Sequence, residues 1–131
     1  MSLGSTQREF SRQVAELIEF IYKSGYECTL GDAYRDPRVF GEMGDKNSII
    51  GKENSYPAYG RAKSAHKQRL AIDLNLFKDN IYLRHTEAHR PFGEFWKSLH
   101  PDNRWGGDFK TASGKPNPDG NHYGRSYNGI A

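Results

Sequence analysis

The sequence is short of cysteine, of long apolar runs and of charge of one sign, and each shortage narrows what it can be. Its one cysteine, Cys28, excludes an internal disulfide and any cysteine-based metal cluster. Cys28 lies in an apolar alternating run and is expected to be a small core residue. No stretch approaches the roughly 18 consecutive apolar residues of a membrane span. The N-terminus has no continuous apolar segment of the kind a secretion leader carries. Nineteen basic residues face 16 acidic ones, for a net charge of +3 and a pI near 9.0. The basic residues are scattered rather than gathered in a stripe, which argues against nucleic acid as a partner. Mild positive charge suits loose attraction to an anionic polymer. Hydrophobic residues make up 35% of the 131, and the mean hydropathy is −0.89. Two Trp, eight Tyr and seven Phe offset that scarcity, because each ring buries a large apolar area. The expectation is one domain over residues 1–131, a small core and long polar loops.

Residues Thr6 to Ser24 read as an amphipathic helix. Thr6 and Glu9 form a capping box, Phe10, Val14, Leu17, Ile18 and Ile21 make one apolar stripe, and Gly25 ends it. Tyr26 to Tyr34 begins as a half-buried strand, with Tyr26, Cys28 and Leu30 on one face. Residues 40–63 are rich in Gly, Asn, Ser and Tyr without a period and read as a long loop of functional interest. Leu70 to Phe77 alternates most clearly, with Leu70, Ile72, Leu74 and Leu76 on one face and Asp73 on the other. Asp79-Asn80 then turns the chain into Ile81-Tyr82-Leu83. Pro91 to His100 reads as a second helix with Pro91 in its first turn and Phe92, Phe95, Trp96 and Leu99 buried. Trp105 to Phe109 is a short strand candidate, residues 111–121 are a polar loop, and a short segment surrounds His122. The fold class expected is α+β: a small, mainly antiparallel central sheet with helices packed on it.

Asp73 is the informative residue. A carboxylate between Ile72 and Leu74 is costly unless it is paired or bound to a cation. His66 lies just before this strand, where a loop can fold it back beside Asp73. On spacing alone, a salt-bridged carboxylate and a surface histidine are the commoner arrangement. Gly120-Asn121-His122 shifts the balance, because two imidazoles and one carboxylate make a three-ligand site with an open position for water. Asp119, three residues before His122, is then left over as a general base.

The order Ser64-x-His66, four residues, Ala71-x-Asp73, Trp105-Gly106-Gly107-Asp108, and an acidic residue three before His122 resembles the LAS zinc peptidases. These include VanY-type D-alanyl-D-alanine carboxypeptidases and dipeptidases and the phage L-alanyl-D-glutamate endolysins. The likeness runs from about Tyr26 to His122. It implies a Hedgehog/D-Ala-D-Ala peptidase-like fold and a bound Zn2+ on His66, Asp73 and His122. It implies that Asp119 activates water and that Arg35 steadies the developing oxyanion. Ser64, Trp105 and Asp108 would contact the substrate or line the cleft beside it. The reaction implied is metal-assisted hydrolysis of a stem-peptide bond in bacterial peptidoglycan. Two positions depart from the pattern. Arg69 stands where a glycine is common, which bears on how the backbone turns toward Asp73. Tyr123-Gly124-Arg125 replaces a Val/Phe-Glu-Leu strand, which bears on what supports His122.

Other residues carry plainer expectations. His85, His89 and His100 read as solvated, Asp32 and Asp36 as orienting Arg35, and Trp96 and Phe95 as core. Tyr56, Pro57 and Tyr59 would wall the substrate or pin the loop. A short chain without a visible leader favours a monomeric phage or prophage endolysin that gathers in the cytoplasm and meets the wall after release. The alternatives are a D-alanyl-D-alanine carboxypeptidase or dipeptidase and, in another class, a non-catalytic wall-binding module.

Overall fold

Ser2 and Gly25 bound the first helix. The computed structural model describes residues 1–36, 43 and 63–131, so the expected loop over 40–63, with Tyr56, Pro57 and Tyr59, lies almost wholly outside the described residues. Helix α1 spans Leu3–Lys23, starting earlier than the Thr6–Glu9 box implies. The cap is Ser2, whose Oγ accepts the Ser5 N–H at 3.1 Å, while the Thr6 hydroxyl donates to the Ser2 carbonyl at 2.8 Å. Glu9 is thereby free to reach Arg125. At the other end Tyr26 N–H returns to Ile21 O and Gly25 N–H to Tyr22 O, with Gly25 at φ +86°. That is the paired C-terminal closure which favours glycine.

Strand β1 is Glu27–Leu30, β2 Ala71–Lys78 and β3 Ile81–Leu83. Helix α2 is Thr86–Leu99, β4 Asn103–Trp105 and β5 His122–Arg125. All pairings are antiparallel, in the order β1-β2-β5-β4 with β3 also on β2. β5 takes the first half of β2 and β3 takes its end. Asp79 and Asn80 both adopt left-handed backbone (φ 52° and 64°), as a tight two-residue hairpin demands.

Alternation along β2 sorts the sheet's two faces. Leu70, Ile72, Leu74 and Leu76 join Phe10, Leu17 and Ile21 of α1, Phe92 and Trp96 of α2, and Tyr123 in one core. Phe20 and Phe95 stack between the helices at 4.1 Å. Asp73 lies on the opposite face. Among the described residues no helix is long and apolar enough to cross a membrane.

Several expectations need correcting. β1 stops at Leu30, which is 68% exposed, and Cys28 is only half-buried, because the strand sits at the sheet's edge. α2 begins at Thr86, so Pro91 is inside it. There the ring removes the bond that would run to the Glu87 carbonyl. Gly106–Asp108 is a single 3-10 turn rather than strand. His89 is buried rather than solvated, its Nδ1 2.7 Å from the Tyr123 hydroxyl. Burial holds its pKa down at about 4.

Arg125, 2% exposed, ties α1 to the sheet. Its guanidinium donates to Asn103 Oδ1 at 2.7 Å, Glu9 Oε1 at 2.9 Å and Gln13 Oε1 at 2.8 Å.

Candidate metal centre

Three elements converge on the open face of the sheet. Asp73 of β2 and His122 of β5 are register partners, so both side chains leave the same face side by side. His66 comes from a one-turn 3-10 helix, Ala65–Gln68, capped by Ser64, whose Oγ accepts the His66 N–H at 3.2 Å. The turn closes with Arg69 in left-handed backbone (φ 58°) and Leu70 N–H on Ala65 O. The reversal usually given to glycine is thus made by arginine, whose guanidinium stacks over the Tyr34 ring at 3.8 Å.

His66 Nε2 lies 3.3 Å and His122 Nδ1 3.6 Å from Asp73 Oδ1. One ligand atom from each residue falls within 4.8 Å of the others. Asp73 Oδ1 is nevertheless buried without a hydrogen-bond partner. A buried carboxylate oxygen facing two ring nitrogens, bonded to neither, is a donor set that a cation completes. Burial opposes ionisation of Asp73, but the two imidazoles outweigh it and hold the carboxyl at about 2.

The pocket over these atoms has a volume of about 420 Å³. Arg35, 7% exposed, enters it with its Nη1 donating to Ser64 Oγ at 2.7 Å, and its backbone N–H is anchored on His66 O. Asp119, exposed, stands at the rim. The structure therefore brings His66, Asp73, His122, Arg35, Ser64 and Asp119 to one cavity. Trp105 and Asp108 do not line it. Trp105 is 1% exposed, because its indole N–H is satisfied inside by Gly120 O at 2.7 Å. Asp108 turns outward to Lys97 Nζ at 2.7 Å. Asp32 contributes through its backbone, accepting the Asp73 N–H at 2.8 Å. His85 and His100 are absent from the pocket.

Neither a protein-family model nor a curated protein matches the sequence. Solved structures do match. The L-Ala D-Glu endopeptidase ChiX of Serratia marcescens aligns at TM-score 0.59 and 13% identity, covering 91% of this chain and 79% of that one. A mutant of the vancomycin-resistance D,D-pentapeptidase VanY from a VanB-type cassette, in complex with Zn(II), aligns at 0.53 and 20% identity, over 89% and 70%. VanYB in complex with D-alanine-D-alanine aligns at 0.53 and 21% identity, over 89% and 69%. This chain has their fold. The α+β arrangement expected from the motif order is the one observed, despite the low identities.

Phe109, Asn117, Pro118 and Asn121 also line the pocket and were not expected there. The Phe109 ring packs 5.1 Å from His122. The 110–118 loop folds back through a Lys110–Pro116 bridge and an Asn117 N–H to Phe109 O bond of 2.9 Å. Turn-forming residue types mark this segment as a loop, and nothing in their spacing says which side faces a cleft.

Proposed function

We propose that this chain is a zinc-dependent peptidase of the bacterial peptidoglycan stem peptide. The observation that carries the reading is the convergence of His66, Asp73 and His122 around a buried carboxylate oxygen that has no hydrogen bond. It is supported by a fold shared with an L-Ala D-Glu endopeptidase and a Zn(II)-bound D,D-pentapeptidase. Two imidazoles and one carboxylate suit zinc and leave a coordination position open. Bound there, zinc supplies Lewis acidity and makes water a nucleophile near neutral pH. Asp119, at the rim, takes the proton from the attacking water and passes it to the leaving amine. Arg35, steadied by Ser64, turns its positive charge toward the carbonyl oxygen as that oxygen becomes negative. Phe109, Asn117, Pro118 and Asn121 add to the lining around these groups.

Within this class we assign the L-Ala-D-Glu bond or a neighbouring one, as in a phage or prophage endolysin acting as a monomer on the wall. The D-Ala-D-Ala carboxypeptidase reading draws on the VanYB likeness and predicts a different product. The test is to measure zinc content and then assay peptidoglycan for new amino termini with wild type and Asp119→Ala. Wild type should release termini, and the variant should keep its zinc while losing about 10²–10⁴-fold in rate. Mass spectrometry of the fragments names the bond, free D-alanine marking the carboxypeptidase. Tightly bound zinc with no release of any product by wild type overturns the peptidase reading in favour of a wall-binding module.

A further inference from the structure

We infer that Trp105 is a positioning residue that sets the Asp119 carboxylate at the pocket rim by latching the Gly120 carbonyl. The inference rests on the peptidase reading, which gives Asp119 its task. Trp105 ends β4 and touches no part of the pocket. Its ring position is fixed from two sides. A Cβ on Gly93 of α2 would fall 2.2 Å from the ring, and one on Gly107 2.3 Å from it. The two indoles of the core differ in what they hold. Trp96 Nε1 donates to the carbonyls of Arg104 and Gly124, inside the sheet. Trp105 Nε1 donates to Gly120, on the loop between Asp119 and His122.

That loop is held peptide by peptide. The Asp119 N–H donates to Gly106 O at 2.8 Å, and the Asp119 carbonyl accepts the His122 N–H at 3.0 Å. The Asn121 carbonyl accepts the Leu74 N–H at 2.9 Å. The carbonyl between them, that of Gly120, is held by the indole at 2.7 Å. Close packing adds to these bonds. A Cβ on Gly106 would meet Asp119 O at 2.0 Å, and one on Gly120 would meet Thr86 Cα at 2.6 Å. By contrast, no side chain among the described residues hydrogen-bonds the Asp119 carboxylate, so among them its placement follows from the backbone. His122 has strand pairing with Asp73 as a second anchor, and Asp119 does not. Loss of the latch therefore moves the base and leaves the metal ligands in place. A displacement of about 1 Å in such a group costs on the order of 100-fold in rate.

The experiment replaces Trp105 site-specifically with 3-benzothienylalanine, which keeps the fused-ring shape and has sulfur in place of the N–H. Trp105→Phe is a second variant. In the zinc-loaded protein kcat should fall by about 10- to 100-fold, with KM and the zinc dissociation constant each within about threefold of wild type. In an Asp119→Ala background the same replacement should cost little more, because the two changes remove one function. Amide hydrogen exchange at Asp119 should accelerate while that of β2 stays slow. Wild-type kcat in the analogue, equal losses with and without Asp119, or loss of zinc in parallel with activity would each overturn the latch. If wild type hydrolyses nothing, the peptidase reading fails instead, and the exchange rate at Asp119 still decides whether Trp105 holds the loop.

Discussion

Asp73 and His122 are register partners across β2 and β5, so backbone pairing sets a carboxylate beside an imidazole with no help from loop packing. Strand pairing thus places two of the three ligands, and the Ala65–Gln68 turn brings the third. The ion's contribution is to relieve a buried oxygen that has no hydrogen bond.

Chelation should therefore lower the melting temperature, and restoring zinc should raise it. At free zinc a hundredfold above its dissociation constant the gain is about 2.7 kcal/mol. Asp73→Asn should weaken zinc binding by more than about 100-fold, since even loss of a group that merely supports a ligand costs 10- to 100-fold. Titration calorimetry and thermal melts with and without chelator check both outcomes.

Stability should fall with pH through the window set by His89. Burial holds its imidazole at about 4, against an ordinary value of 6.5, so the folded protein keeps it neutral. The unfolded chain takes up the proton first as pH drops below about 6.5, and the unfolded state then binds more protons. The contribution is whole above that value and is lost progressively as pH falls toward 4. Urea unfolding at pH 7, 6 and 5 should show the decline, and His89→Gln should flatten it.

Gly106→Ala should disable the site. The added Cβ would stand 2.0 Å from Asp119 O and 2.8 Å from His122 Cβ, both attached to backbone that cannot swing aside. A stability loss of at least about 1–3 kcal/mol is expected, with turnover falling further than the melting temperature suggests. Denaturant titration paired with the amino-terminus assay separates the two effects.

Arg125→Ala should cost at least about 1–3 kcal/mol, because it leaves the buried Asn103 Oδ1 without its donor and removes the partner of Glu9 and Gln13. Glu9→Gln, which keeps a hydrogen-bonding oxygen, should cost markedly less. Chemical denaturation of the two variants tests the order.

How far the sequence could be read varied with the kind of signal. Strict alternation over Leu70–Phe77 and the Asp79-Asn80 turn are local, and both are seen. Asp73 stood out because an apolar strand needs a reason to carry a carboxylate. His66, His122 and Asp119 stood out through motif order, and the structure gathers them into one cavity. Errors arose where a tertiary contact outweighed a local rule. Pro91 reads as a helix start, yet α2 runs back to Thr86, which packs against Gly120. The resemblance makes Trp105 a cleft residue, yet the two glycines after it make room for its ring and for the Asp119 carbonyl. His89 reads as solvated among charges, and its partner Tyr123 is distant in sequence. Phe109 and Asn117 reach the pocket through a fold-back of the loop that composition does not encode.

One edge of β2 is shared between β3 and β5, while β1 holds the other. Its far end pairs with β3, two residues away across a tight turn. Its near end pairs with β5, the last strand of the sheet in the sequence. Without β5, the edge beside Asp73 is bare and the third ligand is missing. A growing or truncated chain that stops short of His122 therefore has no complete centre, and it carries an open strand edge that invites self-association. One strand thus supplies both a ligand and the cover for that edge.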